Sequence, residues 1–168
     1  MKSLLILGAG GFGRMVKETA QALGYEKVVF LDDAVKSDDV IGMCCDYVIR
    51  HEEYPVAVAA FGNNKTRLYW TDKLLEEGYE VPAIVHPSAI VSPSAVLEPG
   101  CFVMQRAVVN THTKIERAVL VNSGAIVDHG SSVGAGAHIG LGSVVKSDCV
   151  IESGRKVCLL YTSPSPRD

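Results

Sequence analysis

The sequence is short of three things, and each shortage closes off a class of function. It has no surplus of positive charge. Its 16 Lys and Arg stand against 19 Asp and Glu, a net charge of −3, so the balance gives no reason to expect nucleic acid or an anionic membrane as partner. It has no long apolar run near its start. Leu4 to Leu7 breaks into a glycine loop after four residues, too short for the apolar region of a signal peptide or for a membrane span. It also lacks a paired-cysteine framework. Of five cysteines, Cys44 and Cys45 are adjacent, while Cys101 and Cys149 fall on small positions of the repeat described next. Buried free thiols suit a reducing cytoplasm, the compartment expected here. What remains is an ordinary globular composition, 48% apolar and 21% charged in 168 residues, with room for one large or two small domains.

The strongest positive feature is a ladder. Every sixth residue from Val85 to Val157 is Val, Ile or Leu: Val85, Val91, Leu97, Val103, Val109, Ile115, Val121, Val127, Val133, Ile139, Val145, Ile151 and Val157. These three types fill 45 of the 168 positions, which makes a chance run of this length roughly a one-in-ten-million event and marks a repeat architecture. Four residues after most anchors the side chain is small, as at Ala89, Ala95, Cys101, Ala107, Thr113, Ala125, Ser131, Ala137, Ser143 and Cys149. A period of six fits neither a helix nor a lone alternating strand, but being even it keeps each anchor on one face of successive short strands. The chain must wind, turning a corner about every six residues: a β-solenoid.

The N-terminal half reads differently. Ser3–Leu7 is a compact apolar strand followed by Gly8-Ala9-Gly10-Gly11-Phe12-Gly13. Phe12, Val16, Ala20 and Leu23 then recur at helical spacing up to Gly24, and Val28–Leu31 is a second strand closing on Asp32-Asp33. Strand, glycine turn, helix, strand and acid is the order of a nucleotide-binding βαβ unit. In such a unit glycines bring backbone N–H groups to phosphate, and the acid accepts ribose hydroxyls. Residues 56–60 predict another buried parallel strand, and a helix with apolar Leu68, Trp70, Leu74 and Leu75 follows to Gly78. Arg67, one turn into that helix, is placed to meet an anion. The expected organisation is a small Rossmann-like domain over 1–82 and a solenoid over 83–157. The last eleven residues, 158–168, break the hexad phase, since Ser163 stands where an anchor is due. They resemble a translated sequencing adapter, so the natural protein is expected to continue past Val157.

On the solenoid, Asp128-His129 and His138 carry the chemistry. A histidine on a rigid wall is preorganised as a general base, and a neighbouring carboxylate orients it. His86 and His112, and His51 in the first domain, read as incidental.

The hexads resemble those of the hexapeptide-repeat acyltransferases, left-handed parallel β-helices with three strands per coil. The whole chain to Val157 is similar to sugar O- and N-acyltransferases related to sialic acid O-acetyltransferase NeuD and bacillosamine acetyltransferase PglD. The matching stretches are GAGGFG (8–13), FLDD (30–33), FGNNKTR (61–67), HPSAIVSPSA (86–95), NSGAIVDHG (122–130) and AHIG (137–140). The resemblance implies acetyl transfer from acetyl-CoA to a sugar, often a nucleotide-activated amino sugar. It implies His129 as general base with Asp128 beside it, and His138 and Ser147 at the acetyl-CoA. It places Gly8, Gly10, Gly11, Phe12, Gly13, Asp32, Asp33, Gly62, Asn63 and Arg67 at the nucleotide sugar. It also implies a homotrimer with CoA between two β-helices, and no metal. Three departures stand out. Phe12 replaces a histidine common in bacillosamine-type members, Gly130 replaces an acidic residue that often follows the base, and an end at Val157 removes coils lining the CoA groove, so that an inactive fragment is compatible with an active parent. Two other readings remain open. One is a γ-carbonic-anhydrase-like metal enzyme, for which His112, His129 and His138 lack close pairing; the other is a non-catalytic nucleotide-sugar-binding or assembly module.

Overall fold

A computed structural model describes residues 2–158 and the backbone of 162–163. Apart from Cys158 and that dipeptide, the segment read as foreign lies outside the described residues. The chain forms two compact units, Met1–Pro82 and Ala83–Asp168.

In the first unit, β1 (Ser3–Leu7), α1 (Gly11–Ala22), β2 (Lys27–Leu31), a 3-10 turn (Cys44–Asp46), α2 (Tyr47–Arg50), β3 (Ala57–Ala59) and α3 (Asn64–Glu76) follow in order. The strands form a parallel sheet ordered β2-β1-β3. Leu4–Leu7, Val28–Leu31 and Ala57–Ala59 are buried throughout, which is why they read as unbroken apolar runs rather than alternations. With β1 central, the chain leaves the sheet in opposite directions on its two sides, and the loops after the strands gather at one edge, the usual ligand edge of such sheets. Gly8 turns there with φ +99°. A Cβ on Gly13 would lie 1.9 Å from the Gly8 carbonyl oxygen, so only a hydrogen lets α1 sit this close to the loop. The buried face of α3 is Arg67, Thr71 and Leu74, while Leu75 is on the surface. The apolar spacing expected for this helix therefore describes only part of its packing. The 3-10 turn and α2 are short, lie in a stretch without periodicity and had no sequence signal.

The second unit is the parallel β-helix expected of the hexads, left-handed as the resemblance implies. Thirteen two-residue strands succeed one another: β4 (Ile84–Val85), β5 (Ile90–Val91), β6 (Val96–Leu97), β7 (Phe102–Val103), β8 (Val108–Val109), β9 (Lys114–Ile115), β10 (Leu120–Val121), β11 (Ile126–Val127), β12 (Ser132–Val133), β13 (His138–Ile139), β14 (Val144–Val145), β15 (Val150–Ile151) and β16 (Lys156–Val157). Each ends on an anchor. Every strand pairs in parallel with the one three further on, as Val103 with Val121 and Val121 with Ile139, which gives three stacked sheets. Anchors and small residues together form the core, with Val103, Ala107, Val109, Ala125, Val127, Ala137 and Ile139 fully buried. Cys101 and Cys149 lie inside it, and burial pushes the Cys101 thiol up to about 12.

One further strand, β17 (Thr162–Ser163), pairs with Val144 and Val145. It adds one backbone rung beyond Val157. Ser163 takes an anchor's place in the register because the ladder is made by backbone N–H and C=O groups, which are indifferent to the side chain.

The corners are equally regular. From Gly100 to Gly154 every sixth residue has positive φ: Gly100, Arg106, His112, Ala118, Gly124, Gly130, Gly136, Gly142, Asp148 and Gly154. Most of their N–H groups donate to a carbonyl of the preceding coil, as Gly130 to Thr111 at 3.0 Å. In the first coil Ser88 and Ser94 hydroxyls serve instead, accepting from Arg106 and His112 at 3.1 Å. Hydroxyls in the core tie coil to coil: Thr113 donates to the Asp128 carbonyl at 3.2 Å and Ser131 to the Lys146 carbonyl at 2.8 Å.

Candidate functional site

His129 sits at the corner between β11 and β12, its side chain 58% exposed. Its Nδ1 lies 3.2 Å from Asp128 Oδ1. The same oxygen accepts the His129 backbone N–H at 2.8 Å and the Asn110 amide at 2.8 Å. These donors, the backbone N–H first and Asn110 next, hold the Asp128 carboxyl below its ordinary range, so it is ionised at neutral pH. An imidazole that keeps its Nδ1 proton on this carboxylate turns the Nε2 lone pair outward, the arrangement a general base needs. Asn110 escaped the sequence reading, although the coil length could have found it, since it lies one coil before Asp128.

His138 is not in that corner. It faces outward from β13, where its Nε2 accepts from the Asn122 amide at 3.1 Å. With Asn122, Gly140, Leu141, Lys156 and Cys158 it lines a cavity of about 250 Å³. Ser147 follows β14, one coil on from His129, so within one chain Ser147 aligns with His129 and not with His138, the residue it was grouped with. No three His, Cys, Asp or Glu side chains come together to hold a metal among the described residues.

In the first unit the glycine loop is held from outside. The Ala9 N–H donates to Asp32 Oδ2 at 2.7 Å, and Oδ1 accepts from Ala34 and Val35 at 2.8 and 2.7 Å. Burial pushes the Asp32 carboxyl up, but these three donors outweigh it and the result is lowered. Asp32 therefore braces the loop, while Asp33 accepts the Cys44 N–H. Both line a cavity of about 390 Å³ with Lys36, Ser37, Val40 and Met43. Gly10 and Gly11 have open space where a side chain would be, and so has Gly62. Phe12 is half-buried in the first turn of α1. Asn63 caps α3, accepting the Thr66 N–H at 3.0 Å.

Arg67 requires correction. It is fully buried, with its guanidinium on the Phe61 carbonyl at 2.9 Å and on Asn64 Oδ1 at 3.0 Å. Burial lowers it to about 10. It shapes the loop after β3 from beneath and presents no surface to an anion. Sequence reasoning also missed a network beside the loop. Asp39 receives Arg14 and Lys17, each at 2.6 Å, and Ser37 at 2.7 Å.

The chain thus carries an oriented acid–histidine corner on a parallel β-helix and an open glycine loop on a half-Rossmann unit. Comparison with known proteins narrows this. Residues 3–74 match the PglD N-terminal domain family. The acetyltransferase domain of PglB from Neisseria gonorrhoeae, in complex with acetyl coenzyme A, is 29% identical over 97% of this chain and 98% of its own, with a TM-score of 0.72. PerB from Caulobacter crescentus, in complex with CoA and GDP-perosamine, is 25% identical over 96% and 93%, with a TM-score of 0.76. A variant of perosamine N-acetyltransferase from the same organism shares the fold at 24% identity over 98% and 90%, with a TM-score of 0.85. The family match lies in the first unit, and the likeness to the solved structures runs through both units.

Proposed function

We propose that the chain transfers the acetyl group of acetyl-CoA to a nucleotide-linked sugar, with His129 as general base. The Asp128–His129 corner carries this reading: a carboxylate anchored by Asn110 and aimed at Nδ1 leaves Nε2 to take a proton. For an amino sugar, the amine nitrogen attacks the thioester carbonyl and a C–N bond forms. His129 Nε2 takes the N–H proton, the C–S bond breaks, and the departing thiolate takes that proton back as the CoA thiol. General base catalysis of this kind contributes about 10²–10⁴-fold in rate. The open space at Gly10 and Gly11 suits phosphate, and the cavity at Asp33 and Lys36 suits the rest of the nucleotide.

The active form is a homotrimer. His129 stands at the corner after β11 and His138 on β13, an arrangement that lets a second copy bring its own His138 to a thioester at His129. The outward residues Ile90, Val108, Ile126 and Val144 form a β-branched apolar ladder beside the His129 corner, and such a face suits burial between copies. Acetyl-CoA and buried free thiols both fit the cytoplasm.

The test is thiol release from acetyl-CoA in the presence of a panel of UDP- and GDP-linked amino sugars, GDP-perosamine among them. Release that depends on one acceptor is expected. Binding of a nucleotide sugar with no thioester cleavage would point instead to a non-catalytic module.

A further inference from the structure

The corner at 148 stacks on the corner at 130. The Asp148 N–H donates to the His129 carbonyl at 2.9 Å, and both Gly130 and Asp148 have positive φ, +69° and +57°. The space a side chain at 130 would fill is already occupied. A Cβ on Gly130 would lie 2.3 Å from Asp148 Oδ1 and 3.4 Å from its Cγ. The Asp148 carboxylate is thus folded back onto the coil that carries His129. Asp128 precedes the histidine on its own coil, and Asp148 reaches the residue after it from the next, so two carboxylates bracket position 129. The other charged or titratable groups in these two columns are Lys146, one coil on from Asp128, and His112, one coil before Gly130.

We propose that Asp148 is a second positioning carboxylate of the His129 corner: it fixes the 129–130 backbone against the next coil and, with Asp128 on the ring, stabilises the imidazolium formed when His129 accepts the acceptor's proton. This rests on the acyl-transfer reading. The missing side chain at 130 is then part of the device, because any larger residue there would displace the carboxylate that the next coil delivers.

The experiment compares the parent chain with His129→Ala, Asp148→Gly, Asp148→Asn, Gly130→Asp and the double variant Gly130→Asp/Asp148→Gly. Each is assayed with acetyl-CoA against GDP-perosamine and a UDP-linked amino sugar. Glycine suits the backbone at 148, so Asp148→Gly stays folded, and its kcat falls on the order of tenfold with the KM for acetyl-CoA little changed. Asn at 148 does not restore turnover, because the charge is absent. The double variant restores most of it, because the carboxylate returns to the same space from the other coil. Melting temperature reads the geometry without substrate: Gly130→Asp alone lowers it by collision with Asp148, and the double variant recovers it. Parent-like kcat in Asp148→Gly, or a double variant no better than the single, overturns the role of Asp148 while a dead His129→Ala leaves the acyl-transfer reading standing. No thiol release by the parent with either acceptor overturns that reading, and this inference with it.

Discussion

Asp128 shows how a single side chain is tuned by its neighbours. It is only half-buried, yet a backbone N–H and the Asn110 amide keep it ionised and leave it aimed at the imidazole. Its own carbonyl is held by the Thr113 hydroxyl from inside the core. Removing that hydroxyl in Thr113→Val should therefore cost about 1 kcal/mol of stability, read as a lower denaturation midpoint at unchanged slope, and should lower turnover by a few-fold as the corner loosens. Turnover and midpoint both unchanged would show that the corner does not depend on this tie. At this scale the sequence was only partly legible. Asp128-His129 stood out because the two are adjacent, whereas Asn110, Thr113 and Asp148 are neighbours only across coils. Arg67 misled for a related reason: helical spacing predicts which face a residue is on, but not that a guanidinium will be buried to satisfy loop carbonyls.

Elements follow two kinds of rule. In the β-helix the rule is periodic, and the period written in the sequence is the period of the structure: anchors end strands, small residues fill between them, and the coil repeats every third strand. In the first unit the rule is close approach. Gly13 permits α1 to rest on the Gly8 carbonyl at a distance no side chain allows. Gly13→Ala should push the helix off the loop and cost more than the roughly 1–3 kcal/mol typical of overpacking, with loss of nucleotide-sugar binding in a thermal-shift titration. Wild-type binding and stability in that variant would contradict the close approach. The stretch between β2 and β3 was not legible, because its order comes from ion pairs and caps. Arg14, Lys17 and Ser37 converge on Asp39, and their hydrogen bonds overcome its burial and hold the carboxyl well below the usual range. Polar contacts at such separations leave no periodic trace.

At the scale of the whole molecule, two units with different rules stand in one chain, and the proposed reaction draws on both. The half-Rossmann unit has the open glycine loop and the cavity proposed for the nucleotide, and the β-helix carries the proposed base, His129. Their order was legible because a glycine fingerprint between strand and helix and a six-residue ladder are both local signals. How the base is completed was not, since that depends on the stacking of coils. The decisive measurement is the steady-state rate of CoA thiol release by the purified chain and by His129→Ala, with acetyl-CoA and the best acceptor of the panel. A fall of about 100-fold or more in kcat, with the melting temperature and the KM for acetyl-CoA retained, is the predicted result. Turnover by His129→Ala within a few-fold of the parent would contradict it and remove His129 as the base.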